Sequence, residues 1–338
     1  MTAEPPQPDS SPPPRRARWW KYALRCVGLV LFVVALRSVD LGRVWRSLHQ
    51  IPAVYVVAAA ALCLAVICVK ALRWHVLLGG LRLREGCVTS LLIYGHALFW
   101  GVITPGRLGE FRKIEHLHRR HGVTWGRGIV ISLVDRLFDL VAVVIVFSLA
   151  ASFLPAEGRD RLLPLPLVIV PVAIVALTIF RRWWLRPVVA GLTRLSRRAG
   201  GFAGKVTGDL LSLSVPRTIA ALLLSLVSLS LYASMVFVLP LDLPFELSFS
   251  QAALCVAAAM LAGMVPISYF NLGSRLLVLM GLFRLFGRTG DEAVSLEFVF
   301  VLCYVLLMAE TTVFWMLGRR QYRGSIRRAA RAGKRRLE

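Results

Sequence analysis

Five charged residues interrupt or border apolar segments of this chain, where an ionised group needs a partner or a wet cavity. Asp135, Arg136 and Asp139 lie within one apolar run, and Arg107 and Glu110 lie three positions apart in the segment ITPGRLGEF. Asp135 and Asp139 share one helix face at i,i+4, and Arg136 can reach Asp139 at i,i+3. Each charge at membrane depth costs about 2.5 to 3.5 kcal/mol. The five side chains could therefore neutralise one another, or they could contact a polar substrate, and the sequence leaves both interpretations open.

The residues around Arg107 predict a broken helix. Thr104 can cap a helix, and Pro105 fits the first helical position without losing a needed N–H. A half-helix that begins near Pro105 would point its free N–H groups and the positive end of its dipole at an anion. Gly106 and Gly109 would let a ligand or another helix approach closely. The pattern indicates a site for an anionic group.

A weaker version of this pattern follows Pro266. Ser268, Asn271 and Arg275 come after that proline, and Asn271 could cap a helix over residues 272–286. The predicted substrate-binding set combines both patterns with the charges of the apolar run. It consists of Thr104, Pro105, Gly106, Arg107, Gly109, Glu110, Arg112, Asp135, Arg136, Asp139, Ser268, Asn271 and Arg275.

The elements that must position these residues belong to a membrane protein. The chain has 338 residues, 57% of them hydrophobic, and its mean hydropathy is +0.68, which excludes a water-soluble globular domain. A net charge of +23 could indicate nucleic-acid binding. The basic residues flank the apolar runs, however, so we interpret them as topology signals and contacts to anionic lipids, with no nucleic-acid partner.

Six apolar stretches are long enough to cross a bilayer of about 30 Å at roughly 20 residues each. They are residues 22–39, 51–70, 127–151, 163–180, 218–239 and 293–317. Two shorter stretches, 88–103 and 251–265, end in a proline and polar residues, and we predict that each is one arm of a re-entrant hairpin.

The distribution of charge supports the first hairpin. If residues 88–103 crossed the membrane, the loop 181–217, with eight basic residues and one acid, would lie opposite the basic N-terminus, against the positive-inside rule. A hairpin over 88–121 keeps 70–87, 112–126, 181–217 and both termini in the cytoplasm. The second hairpin, 251–287, would then enter from the outside.

The sequence therefore predicts an all-α polytopic membrane protein with about six full spans and two re-entrant helical hairpins in an inverted-repeat arrangement. Residues 1–18 form a disordered cytoplasmic tail and 318–338 a basic cytoplasmic tail. The transmembrane domain covers 19–317, with a first half over 19–180, a basic interfacial loop over 181–217 and a second half over 218–317.

No metal or other cofactor is expected. His116, His118 and His121 have a suggestive spacing, but they lie among basic residues that oppose metal binding, so we interpret the segment as a solvated basic loop. The six cysteines show no C-x-x-C spacing, which argues against a disulfide framework or a zinc site. Glu310 is a further acid inside a predicted span, and the sequence identifies no partner for it.

Three motifs resemble the lysylphosphatidylglycerol synthase transmembrane, or flippase-like, family. They are TPGRLGEFRK (104–113), S-x-x-DRLFD (132–139) and PIS…LG-x-R…GLF (266–283), and KALRW (70–74) also fits. The resemblance covers about residues 20–317. It implies a bacterial inner-membrane protein related to the translocase half of aminoacyl-phospholipid synthases, with relatives linked to hopanoid and lipid-linked sugar export.

Two features depart from that family. After Trp315 only a short basic tail follows, so the aminoacyl-transferase domain is missing from this sequence and aminoacylation is not expected. In the second motif, Leu276 occupies the position of the family's usual glutamate, which affects any mechanism that needs matched charges in both halves.

The leading hypothesis from the residues and the resemblance is a lipid translocase. Intramembrane Arg, Asp and Glu side chains would line a groove for the head group of an anionic or modified phospholipid or of a lipid-linked compound. A scaffold or regulator of envelope lipid or polysaccharide synthesis is one alternative, and a membrane glycosyltransferase-type enzyme is another. No catalytic constellation is evident, so no enzyme activity is expected, and the sequence leaves a homo-oligomer open.

Overall fold

The computed structural model describes residues 52–104, 109–153, 213–239, 246–263 and 272–334, with side chains described as far as Gly318. Within these stretches the chain forms α-helices and no strand. The helices are α1 (Ala53–Gly80), α2 (Cys87–Ile103), α3 (Arg112–His121), α4 (Trp125–Ser152), α5 (Val215–Val238), α6 (Phe249–Gly263), α7 (Leu272–Leu285) and α8 (Gly290–Lys334).

Three of the described helices are long and apolar enough to cross a membrane: α1, α5 and the Gly290–Gly318 part of α8. They overlap three predicted spans. Helix α4 covers the predicted span 127–151 as one continuous helix of 28 residues. It differs from the other three because it contains Asp135, Arg136 and Asp139 near its middle. The predicted spans 22–39 and 163–180 and the tail 1–18 lie outside the described residues, so the count of six spans stays a prediction. Helix α8 extends through most of the predicted C-terminal tail.

Helix α1 is longer than predicted. The prediction ended the span at residue 70 and placed 70–87 in a cytoplasmic loop, whereas the helix continues to Gly80. Its length of 28 residues corresponds to about 42 Å. The helix continues because Ala71, Trp74 and Leu78 are buried at spacings that keep one apolar face in register. As a result, Lys70 and Arg73 lie inside a helix.

Helix α2 ends differently from the prediction. Thr104 terminates this helix: its hydroxyl donates to the Trp100 carbonyl (2.7 Å) and accepts from the Gly109 N–H (2.6 Å). A tight turn over 109–111 follows, and α3 begins only at Arg112. The predicted helix start near Pro105 falls within residues 105–108, which lie outside the described part. A Cβ atom at Gly109 would lie 2.1 Å from the Trp100 carbonyl oxygen, so this turn requires glycine.

The interpretation of residues 112–126 as a solvated basic loop is also wrong. Residues 112–121 form α3, in which Lys113 and His116 are buried. Helix α7 agrees with the helix predicted over 272–286, although its predicted cap, Asn271, lies outside the described residues.

The described helices of the two halves repeat one order and one packing pattern. Each half contains a long helix, two shorter helices and another long helix: α1 to α4, then α5 to α8. Helix α1 packs against its counterpart α5; α2 packs against α8, and its counterpart α6 packs against α4. A pseudo-twofold relation between the halves produces such packing, in which each short helix contacts the last long helix of the other half. The inverted direction of the second half and the depth of the short helices in the bilayer stay predictions.

Close helix contact in this arrangement depends on small residues. A Cβ atom at Gly95 of α2 would lie 2.6 Å from Phe314 of α8, and one at Gly318 would lie 3.0 Å from the Leu92 carbonyl oxygen. Glycines that allow backbones to approach are typical of helix pairs in membranes. They bring α2 against α8, where Phe99 stacks on Trp315.

Candidate functional site

Arg73 of α1 is the centre of a buried group of charges. Its side chain is fully buried and contacts both carboxylates of α4: the Asp135 Oδ1 atom at 2.8 Å and the Asp139 Oδ1 atom at 2.5 Å. It also donates to the Ser225 hydroxyl of α5 at 2.8 Å. Asp135 and Asp139 reach the same guanidinium because they lie on one face at i,i+4. Arg73 thus joins α1, α4 and α5.

Lys113 of α3 closes one end of this group. Its Nζ atom lies 2.6 Å from the Asp135 Oδ2 atom, with side-chain exposures of 2% and 1%. The same ammonium lies 4.2 Å from the centre of the Trp74 ring and 5.2 Å from that of Tyr94. Aromatic faces stabilise a desolvated cation, so Lys113 and Asp135 form a dry, closed end.

Lys70 and Asp139 form the opposite, more open end. The Lys70 Nζ atom lies 2.9 Å from the Asp139 Oδ1 atom, and the two side chains are 12% and 22% exposed. We call Lys70, Arg73, Lys113, Asp135 and Asp139 the charge cluster. With three cations and two carboxylates, these five side chains carry one excess positive charge.

A second ion pair lies at the edge of α4. The Arg136 guanidinium is 2.6 Å from the Glu110 Oε2 atom, and Arg136 is 34% exposed while Glu110 is 7% exposed. The Glu110 side chain fits against Gly101 of α2, where a Cβ atom would lie 2.5 Å from it. We call Glu110 and Arg136 the boundary pair. Arg136 shares the outward face of α4 with the exposed Leu133, Leu137 and Leu140.

Arg112 is a further cation, and it lies at the start of α3 just after the α2–α3 turn. Its guanidinium lies over the Trp100 ring, 4.1 Å from the centre, and the residue is exposed. Phe99 of α2 stacks on Trp315 of α8 at 5.2 Å and meets the edge of Trp100. The ITPGRLGEF segment is therefore followed by a cation held on an aromatic platform.

The second half contains its own buried pair. Arg275 of α7 donates two hydrogen bonds to Glu297 of α8, at 2.8 and 2.7 Å, and the side chains are 3% and 1% exposed. The guanidinium lies over Phe300 and Tyr304 at 5.0 and 5.3 Å. Arg275 and Lys113 thus occupy comparable positions: each is a cation near the start of a short helix that pairs with an acid on the following long helix and rests on aromatic rings.

A further group of charges lies outside the spans, where Glu85 joins the α1–α2 connection to α3. His116 and His121 each place Nε2 on the Glu85 Oε1 atom, at 3.0 and 2.7 Å, and Arg120 lies 3.1 Å from the same oxygen. Burial raises the pKa of the Glu85 carboxyl, but the hydrogen bonds from the two histidines outweigh burial and bring the pKa below its ordinary value. Two of the three histidines thus hold a carboxylate, and no metal-binding group of His, Cys, Asp or Glu occurs in the described part of the chain.

Comparison with known protein families identifies the family of this chain. The family model described as the lysylphosphatidylglycerol synthase TM region matches residues 19–309. The chain belongs to this family. Comparison with curated proteins gave no match.

In this member of the lysylphosphatidylglycerol synthase transmembrane family, the structure brings together part of the predicted site. Asp135 and Asp139 lie in the charge cluster, Glu110 and Arg136 form the boundary pair, and Arg112 lies nearby. Thr104 and Gly109 shape the turn between α2 and α3. The remaining predicted first-half residues, Pro105, Gly106 and Arg107, lie outside the described residues, as do Ser268 and Asn271.

The predicted pairing of Arg136 with Asp139 is not what the structure shows, because Arg136 contacts Glu110 and the two aspartates take their cations from other helices. Sequence reasoning missed three of those cations as partners, Lys70, Arg73 and Lys113, since it placed all of them in cytoplasmic loops. The signal was the apolar face that continues past Lys70. Glu297 was also missed, and it supplies Arg275 with a carboxylate although Leu276 replaces the family's glutamate.

Proposed function

We propose that this membrane protein is a lipid translocase that moves a lipid with a polar, anionic head group between leaflets. The observation that carries the proposal is the charge cluster itself, in which three cations meet two carboxylates between helices. Buried ionisable groups inside a helical membrane protein are costly and usually mark a pathway for a polar substrate. A phosphate group would neutralise the excess charge in a setting where water does not compete strongly.

The boundary pair indicates how a lipid would reach the cluster. The outward face of α4 presents leucine side chains on both sides of Arg136, so the acyl chains could remain against α4 while the head group contacts the guanidinium. Exchange of Glu110 for a lipid phosphate on Arg136 would then open the route toward Lys70 and Asp139, the less buried end of the cluster. Family membership supports lipid handling, and the basic loops support a bacterial cytoplasmic membrane with both termini inside the cell.

Lys70→Gln is the most direct test of the proposal. Asp135→Asn would leave Arg73 and Lys113 buried with too little negative charge and would endanger folding. Loss of Lys70, by contrast, leaves Asp139 on Arg73 and Asp135 on both Arg73 and Lys113. The variant therefore removes the excess charge and retains a cation for each aspartate. A charge-assisted hydrogen bond contributes about 1.5 to 3 kcal/mol, so we expect exchange to slow roughly ten- to a hundredfold.

The assay uses purified protein in vesicles that contain head-group-labelled lipids and a membrane-impermeant quencher. Wild-type protein and Lys70→Arg should exchange the label between leaflets at similar rates, and Lys70→Gln should exchange it roughly ten- to a hundredfold more slowly. Arg284→Gln, which removes an exposed cation of α7, is the matched control and should behave as wild type. Equal rates for wild-type and protein-free vesicles across anionic, zwitterionic and glycosylated lipids would refute translocation and favour a scaffold, which tolerates loss of the membrane charges.

A further inference from the structure

Glu310 is a half-buried acid that differs from the ion-paired acids in the described part of the chain. It lies on α8 within the Gly290–Gly318 segment that is long and apolar enough to span a membrane. Its hydrogen-bond partner is the Cys63 thiol of α1, and its buried Oε2 atom has no hydrogen-bond partner. The five acids of the ion pairs described above each have a basic partner: Glu85 with His116, Glu110 with Arg136, Asp135 and Asp139 with Arg73, and Glu297 with Arg275.

The charge state of Glu310 follows from these contacts. An ionised carboxylate in an apolar setting is strongly disfavoured unless a cation or several donors compensate for lost water. One thiol is a weak donor and provides little compensation. This setting favours the neutral carboxylic acid of Glu310 over its carboxylate.

The groups that face Glu310 do not supply a missing cation. From α1 these are the thiols of Cys63 and Cys68, with Cys303 of α8 beside the first and Cys87 of α2 beside the second. Two cations on helices packed against α8 pair with other acids: Arg275 of α7 with Glu297 and Lys113 of α3 with Asp135. The ionisable groups His96 of α2 and Tyr232 of α5 interact with Trp315 and Tyr304 of α8.

The surroundings of Glu310 can also transmit a movement. The hydroxyls of Thr311 and Thr312 donate to carbonyls one turn earlier, at 2.6 and 2.7 Å, and such bonds favour bending of a helix. On α1, Cys63 and Lys70 lie seven residues apart on one face, about 10.5 Å along the axis. Helix α1 thus connects the Glu310 contact directly to the open end of the charge cluster.

We propose that Glu310 is the proton-binding residue that couples lipid movement to a proton gradient. Separation of α8 from α1 would break the contact with Cys63 and expose the carboxyl to water, where it releases one proton and becomes a carboxylate. Return of α8 requires that the carboxylate takes up one proton, from the other side of the membrane. This role rests on the translocase function proposed above, and it names the driving force for that function.

Infrared spectroscopy of the reconstituted protein tests the proton directly. At neutral pH the wild type should show the carbonyl band of a protonated carboxylic acid, and Glu310→Gln should lack it. Cys63→Ala should move the band to higher frequency, because one hydrogen bond is lost. Glu246→Gln, which changes an exposed acid, is the matched control and should retain the band. Identical wild-type and Glu310→Gln spectra would overturn the proposal whatever the lipid assay shows.

Leaflet exchange under an imposed pH gradient tests the coupling. With one proton per lipid, one pH unit can maintain about a tenfold difference in labelled lipid between leaflets. Wild type and Glu246→Gln should approach that ratio, whereas Glu310→Gln should equilibrate the leaflets. Equal accumulation by Glu310→Gln would refute the role of Glu310 and leave translocation standing. Lack of exchange in every sample would refute translocation itself and the coupling that rests on it.

Discussion

Glu297→Gln should destabilise the protein strongly, because it leaves Arg275 charged and buried. The guanidinium is 3% exposed and makes both of its described hydrogen bonds to the Glu297 carboxylate. Removal of one partner from a buried ion pair typically costs 3 to 5 kcal/mol. The rings of Phe300 and Tyr304 remain over the guanidinium and retain about 0.5 to 2 kcal/mol of stabilisation. We therefore expect a loss of about 3 kcal/mol in the free energy of unfolding.

The double variant Arg275→Met, Glu297→Leu measures the net contribution of the ion pair to stability, separately from the cost of leaving one buried charge without its partner. Replacement of both charges by apolar side chains of similar size is often neutral or stabilising, so the double variant should unfold within about 1 kcal/mol of the wild type. The assay is denaturant unfolding in mixed micelles, followed by tryptophan fluorescence. Both single variants should fall well below the double variant.

A half-exposed ion pair provides the control. Glu115 and Arg119 of α3 lie 2.5 Å apart at i,i+4, with exposures of 26% and 32%, and Glu115→Gln should cost less than about 1 kcal/mol. If Glu297→Gln cost no more than Glu115→Gln, Arg275 would not be a desolvated charge in the native protein. The inference that the second half holds a sealed ion pair would then be wrong.

Two further predictions concern the α2–α3 turn and the Glu85 contacts. Gly109→Ala places a methyl group on the Trp100 carbonyl and should lower the free energy of unfolding by about 1 to 3 kcal/mol or more. Gly281→Ala, where a Cβ atom would have nothing within 4 Å, should raise the free energy of unfolding by about 0.5 to 1 kcal/mol. Thermal unfolding compares the two variants. The pKa of Glu85 is lowered from 4.5, so its contribution to stability is present above pH 4.5 and is lost as the pH falls through the folded-state pKa. The gap in unfolding midpoint between wild type and Glu85→Gln should therefore close as the pH falls below 4.5 and through the lowered pKa of Glu85, and a constant gap would contradict the ionised carboxylate.

The sequence predicts the fold where hydropathy alone decides it. Helix α5 lies close to its predicted bounds because a long apolar run marks its extent. Helix α7 also lies close to its predicted bounds, which rested on Asn271 as a cap. It fails at α1, where Lys70 reads as the end of a span although the apolar face continues to Leu78. A hydropathy window cannot tell a charge that leaves the membrane from a charge that meets Asp139 on another helix, since the distinction depends on a partner more than sixty residues away.

The same limit explains what was predictable in the site. Asp135, Asp139 and Glu110 stand out because acids are rare in apolar segments. Their partners do not stand out, because basic residues near span ends are the normal topology signal. Arg73 therefore reads as a cytoplasmic marker until the packing of α1 against α4 and α5 places it between two aspartates.

Comparison of the two halves separates substrate handling from structural pairing. Lys113 with Asp135 and Arg275 with Glu297 repeat one design, a cation near the start of a short helix on an acid of the next long helix. In the second half the described pair is neutral and almost fully buried, so it can fasten α7 to α8 without attracting an anion. In the first half Arg73 and Lys70 join Lys113 around the two aspartates, and the cluster is more exposed at Asp139. If the halves rock against each other during transport, we expect the head group to follow the half with excess charge, while the sealed pair moves as part of a rigid unit.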